Sequence, residues 1–169
     1  MRRLFTDERG SAIVEMTLVG IPMIFVLISV FEMARGMWAY DTLAYAVRET
    51  SRYAIVHGQN CSQSPNSCAI TVANLATRLV NAGVGLPSDQ LNATFSSLSD
   101  NVACNPVSSC LSNNTVFPSA TGGSVGYPIT VSATYRFSSA ISMFWPGAGR
   151  PIVFAPVNFP ASSTDYIQF

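Results

Sequence analysis

Apolar residues run without a charge from Met16 to Phe31, and Ser11–Val14 lead into that run with a single carboxylate, Glu15, set between them. A stretch of this length, wound as a helix, crosses about 30 Å of hydrocarbon. Pro22 removes one backbone hydrogen bond within it and predicts a bend, which membrane helices tolerate. Beyond Glu32 the pattern becomes mixed. Trp38, Tyr40, Leu43, Ala44, Val47, Tyr53 and Ala54 recur at helical spacings among Glu32, Arg35, Asp41, Arg48, Glu49 and Arg52, with Gly36 as the only glycine and no proline up to Val56. Gly58 stands where a helix C-terminus favours glycine. The whole predicts one helix of about 45 residues and about 65 to 70 Å.

The periodicity then changes. Ala69–Ala82 predicts a second, shorter helix, with Ser67 as N-cap and Gly83 as its stop. Leu91, Ala93 and Phe95 alternate as in a strand, and after a stretch rich in Ser, Asn, Pro and Gly from Asp100 to Gly126 the alternation returns strongly. Ile129, Val131, Ala133, Tyr135 and Phe137 then face one way, and Thr130, Ser132, Thr134 and Arg136 the other. Ile152–Phe159 is apolar but interrupted by Pro156, so it predicts at best an edge strand. The expected fold class is α+β: a long N-terminal transmembrane helix, a second short helix, and a small antiparallel β-sheet C-terminal domain packed on the upper part of the long helix. Residues 1–10 form a leader, 11–58 the membrane-spanning helix and its continuation, and 59–169 an exported globular domain.

Charge adds direction to this picture. The chain carries nine arginines, no lysine and nine acids. Arg2, Arg3 and Arg9 against Asp7 and Glu8 make the leader mildly basic, which favours keeping it in the cytoplasm and the remainder outside. From Tyr53 onward the only charged side chains are Arg78, Arg136, Arg150, Asp89, Asp100 and Asp165, a balance that offers no basic patch for nucleic acid. The four cysteines, Cys61, Cys68, Cys104 and Cys110, all lie in the exported part and read as a disulfide framework. Three pairings are open. The short separations across turn-forming residues favour Cys61 with Cys68 and Cys104 with Cys110. Their spacing is not that of a zinc site, and the one histidine, His57, falls at the helix end near terminal carbonyls, so neither metal nor cofactor is expected. The exported acids, the histidine and the serines make no catalytic constellation, and Gly122–Gly126 lacks the lysine of a phosphate loop. No enzyme activity and no small-molecule substrate are expected. Met143, Phe144 and Trp145 beside Pro146 and Gly147 are a candidate exposed tip.

A carboxylate one turn into a membrane helix costs about 2.5 to 3.5 kcal/mol on insertion scales and asks for a function. A charged leader, then Gly10, Ser11, and Glu15 at the fifth position past the glycine, resemble a type IV prepilin processing site. A plain signal anchor gives no reason for Glu15, and no small-residue signal-peptidase site follows Phe31. The runs Gly10–Pro22, Phe31–Leu43 and Ala46–Ala54 resemble more narrowly the TadE-like (TadE/TadG) pseudopilins of tight-adherence (Tad, or Flp) type IV pilus systems. The resemblance covers about the first third of the chain, and Met16 stands where that family often has an aromatic residue.

It implies a minor pilin-like protein acting in pilus assembly and surface adhesion, cut by a prepilin peptidase between Gly10 and Ser11. Its implied partners are other pilins or pseudopilins, the Tad assembly platform and the bacterial inner membrane. After such a cut the new amine of one subunit can meet Glu15 of its neighbour, converting two costly ions into a pair. Alternatively Glu15 only caps the helix at headgroup level. A single-pass anchored binding domain that never polymerises is the competing reading of the whole chain.

Overall fold

The computed structural model describes residues 8–57, 70–139 and 155–168. It contains α1 (Glu8–Ile55), α2 (Val72–Ala82), β1 (Leu91–Ser96), β2 (Asn101–Cys104), a 3₁₀ turn (Val107–Cys110), β3 (Pro128–Phe137) and β4 (Val157–Tyr166). All strand pairs are antiparallel, in the order β2-β1-β3-β4. The fold is therefore α+β, with the long helix, the short helix and the small sheet that the hydrophobic pattern predicts.

Two units are distinguished, and the boundary in α1 falls between Arg35 and Gly36. Up to Arg35 the helix is apolar. Most of its large side chains are exposed, from Ile13 at 67% to Phe31 at 75%, while Phe25 and Ile28 are half-buried. The helix continues through Pro22. Thr17 and Ser29 turn their hydroxyls back to the carbonyls of Val14 (2.9 Å) and Phe25 (2.8 Å), so neither asks for water. Glu32 and Arg35 close this segment as an ion pair at 3.1 Å.

The second unit holds the core. In α1, Ala39, Leu43, Ala46, Val47, Thr50, Ser51, Ala54 and Ile55 are buried, a stripe at helical period that faces the sheet. The sheet supplies Leu91, Ala93 and Phe95 from β1, and Ile129, Val131, Ala133, Tyr135 and Phe137 from β3. Register sets Phe95 beside Val131 and Ala93 beside Ala133, so the alternation read in sequence becomes one continuous apolar face. At Gly36 the helix faces the rings of Phe137 and Phe159, and a Cβ there would make ordinary van der Waals contact with both, at 3.7 and 3.8 Å. Helix α2 adds Val72, Leu75, Ala76 and Leu79.

Three boundaries differ from expectation. Helix α2 begins three residues later than Ala69, because Ile70 and Thr71 are extended, with Thr71 bridged to Val116 and the Ile70 carbonyl accepting from Phe117 at 2.9 Å. Thr71 is the N-cap, its hydroxyl accepting from the Asn74 N–H at 3.3 Å, while Ser67 lies outside the described residues. Gly83 is the C-cap, as read. The final strand runs Val157–Tyr166, seven residues past the expected end at Phe159, and residues 152–154 of the expected strand lie outside the described residues. It lies at the sheet edge, where Pro160 inside it is tolerated. The polar stretch after Asp100 also holds a strand, β2, and the 3₁₀ turn.

Candidate processing and assembly site

Gly10 and Ser11 lie in the opening turns of α1, and Glu15 follows Ser11 by four residues. That spacing puts positions 11 and 15 on one helix face, about 6 Å apart along the axis. Glu15 is exposed and has no hydrogen-bond or ion-pair partner among the described residues. Around it stand Ile13, Val14, Met16, Leu18 and Val19, all more than 60% exposed. A lone carboxylate on an apolar rod is stable only where another molecule supplies a counter-charge or where headgroups and water reach it. Helix α1 is long and apolar enough to cross a membrane, and its most apolar stretch has no buried residue.

Among the cysteines, Cys104 and Cys110 are bonded, with Cα atoms 5.7 Å apart. Both are buried, and their bridge ties the end of β2 to the 3₁₀ turn. Cys61 and Cys68 lie outside the described residues, as do Gly58, the leader up to Asp7 and the segment Met143–Gly147. His57 meets the Tyr53 carbonyl through Nδ1 at 2.7 Å, at the end of α1. No group of three or more metal-ligating side chains occurs among the described residues.

Three polar contacts that the sequence did not announce hold the second unit to its helix. Ser51, fully buried, donates to Asp165 of β4 at 2.6 Å, and Ser163 donates to the same carboxylate oxygen at 3.1 Å. Arg78 of α2 bonds Glu49 at 2.6 Å and lies over the Tyr53 ring, 5.4 Å from its centroid. The Gln168 N–H donates to the Ile55 carbonyl at 3.2 Å. The pairs are separated by up to 114 positions in the chain, so no local pattern could have revealed them.

Asp100 organises the loop at the far end of β1. Its carboxylate accepts from the Ser119 N–H at 2.7 Å and the Ser97 hydroxyl at 2.9 Å. Burial works to raise its pKa, but the hydrogen bonds from Ser119, Ser97 and Ser99 together outweigh burial and hold it below the ordinary carboxylate value.

An apolar helix ending in an ion pair, followed by a sheet packed on the helix continuation, defines an α+β protein with one helix long and apolar enough to cross a membrane. Residues 10–52 match the model of the TadE-like protein family. The match ends within α1 and leaves the sheet outside it. Comparison with curated proteins and with solved structures gives no significant match.

Proposed function

We propose that this chain is a minor pilin-like component of a Tad/Flp-type pilus, cut by a prepilin peptidase between Gly10 and Ser11 and acting in pilus assembly and surface adhesion. The observation that carries this is Glu15, an unpartnered carboxylate one turn past that junction on an otherwise apolar exposed helix, within the segment that matches the TadE-like model. In this reading the leader stays in the cytoplasm, α1 crosses the inner membrane once, and the sheet domain lies outside. The Ser11 amine of one subunit then meets Glu15 of another, and register follows from that contact. The protein is structural and needs no cofactor, substrate or catalytic group.

Intact-mass measurement of membrane-extracted protein, with a search for it in sheared surface filaments, tests the proposal. A mature chain beginning at Ser11 and present with pilus components is expected; a retained leader overturns it. Glu15→Ala should insert as well as the parent or better, yet lose incorporation into the pilus machinery. Normal incorporation of a normally processed Glu15→Ala protein would remove the pairing mechanism. A second reading, an anchored binding domain that never polymerises, draws on the extent of the sheet domain beyond the matched segment. Surface binding by protein that retains its leader would favour it.

A further inference from the structure

Three charges on α1 take no part in holding the second unit together. Asp41, Arg48 and Arg52 are exposed and have no hydrogen-bond or ion-pair partner among the described residues, in contrast to Glu49 and Arg78, which pair with each other. Steps of seven and eleven residues at 3.6 per turn bring all three within about 40° around the axis. They form one stripe, acid first and bases after, separated by about 10.5 and 16.5 Å of helix rise. Arg52 also suits the last turn of α1, where the helix dipole favours a cation, but that accounts for neither Arg48 nor Asp41.

The arrangement is self-complementary under a shift along the axis. Two copies side by side without a shift oppose Asp41 to Asp41 and Arg48 to Arg48, which is repulsive. A parallel copy displaced by seven to eleven residues brings Asp41 of one against Arg48 and Arg52 of the next. At the 8 to 10 Å separation of packed helices, arginine side chains span that gap. An antiparallel pair would also match these charges, but copies anchored in one membrane by the same segment point the same way. We propose that the Asp41–Arg48–Arg52 stripe is a self-association surface that receives a second copy of this chain, parallel and displaced along the helix axis. This rests on the membrane-spanning reading above. Because all three charges lie on one face, a copy that has docked covers the whole stripe, and the contact joins two subunits offset along the axis.

The test places cysteines beside the three charges. Two differently tagged full-length forms are co-expressed, one carrying Met37→Cys and the other Ala44→Cys, positions seven apart that flank the stripe on one side, and disulfide cross-links are mapped by peptide mass after mild oxidation in the membrane. Cross-links from 37 to 44 between copies, exceeding the 37–37 and 44–44 products, are expected. Adding Asp41→Arg to the first form should lower the 37–44 yield about fivefold, and adding Arg48→Asp with Arg52→Asp to the second should restore it. Dominant same-position cross-links, cross-links to a different protein alone, or an unchanged yield on reversal would overturn the proposal. Leader removal and filament incorporation are read on the same samples. Processed, incorporated protein without 37–44 cross-links sinks the stripe and leaves the pilin reading standing; unprocessed protein that still cross-links does the reverse.

Discussion

Gly85 offers a sharp test of how the loop after α2 is seated on the long helix. Its φ is +80°, and a Cβ built there would fall 2.4 Å from Cη2 and 3.1 Å from Cζ3 of Trp38. Gly85→Ala therefore meets two separate penalties. The left-handed backbone costs a side-chain-bearing residue about 1 to 2 kcal/mol. The contact with Trp38 adds about 1 to 3 kcal/mol, reduced to the extent that the indole, half exposed, swings outward and loses its packing on the loop. A total of about 2 to 4 kcal/mol is expected. In a Trp38→Ala background the contact is gone, so Gly85→Ala should cost only about 1 to 2 kcal/mol, the backbone share. The double-mutant cycle thus yields a coupling of at least about 1 kcal/mol. Urea unfolding of the detergent-solubilised full chain, followed by pulse proteolysis, measures all four corners without relying on tryptophan fluorescence. Equal costs in both backgrounds, or no cost at all, would refute the seating of the loop against Trp38.

Ser51→Ala removes a buried hydroxyl from the Asp165 carboxylate and should destabilise the second unit by about 1.5 to 3 kcal/mol by the same unfolding assay, with Ser51→Thr no substitute because its extra methyl has no room at a fully buried site. The Asp100 loop should be pH-sensitive. Because its folded pKa lies below the ordinary 3.8, its contribution is complete above that value and is lost as pH falls through the depressed one; the protection factor of the Ser119 amide, taken against its intrinsic exchange rate at each pH, should fall across that window and stay constant above about pH 5. Cys104→Ser with Cys110→Ser should cost about 2 kcal/mol, the chain-entropy value for so short a loop, and protease accessibility should rise around the 3₁₀ turn rather than in β3.

How far the sequence disclosed the molecule varies with the distance over which each element is determined. The helix through Ile55 is written in its own apolar and heptad-like spacing, and β1 and β3 in their alternation, because each buries one face against the core and has to repeat at its own period. Strand β2 carries only Val102, Ala103 and Cys104 among polar residues, so its identity comes from pairing with β1 and not from its own pattern. Strand β4 is largely polar and small in its second half, and Pro160 within it and Pro156 just before it argue against a strand until its edge position is known. The start of α2 was misplaced because both Ser67 and Thr71 can cap, and only the bridge from Thr71 to Val116 decides between them. Glu15 was legible for the opposite reason: a charge where the surrounding chemistry forbids one stands out in any reading. The Ser51–Asp165 contact was not, since neither residue is unusual alone.

That contact bears on the order in which the protein is made. In the proposed topology the upper part of α1 leaves the membrane early in synthesis, but Ser51, Tyr40 and Ile55 find their partners at Asp165, Phe159 and Gln168. The sheet face on which the helix rests is likewise completed only when β4 adds to β3. On that topology a nascent chain has a finished helix and an unfinished domain for as long as it takes to export the intervening hundred or so residues. During that interval Leu43, Val47 and Ala54 are uncovered and the cysteines are accessible to oxidation, so disulfide formation at Cys104 and Cys110 can precede docking of the helix. The end of the chain thus supplies contacts to α1, at Phe159, Asp165 and Gln168, that no earlier segment can make.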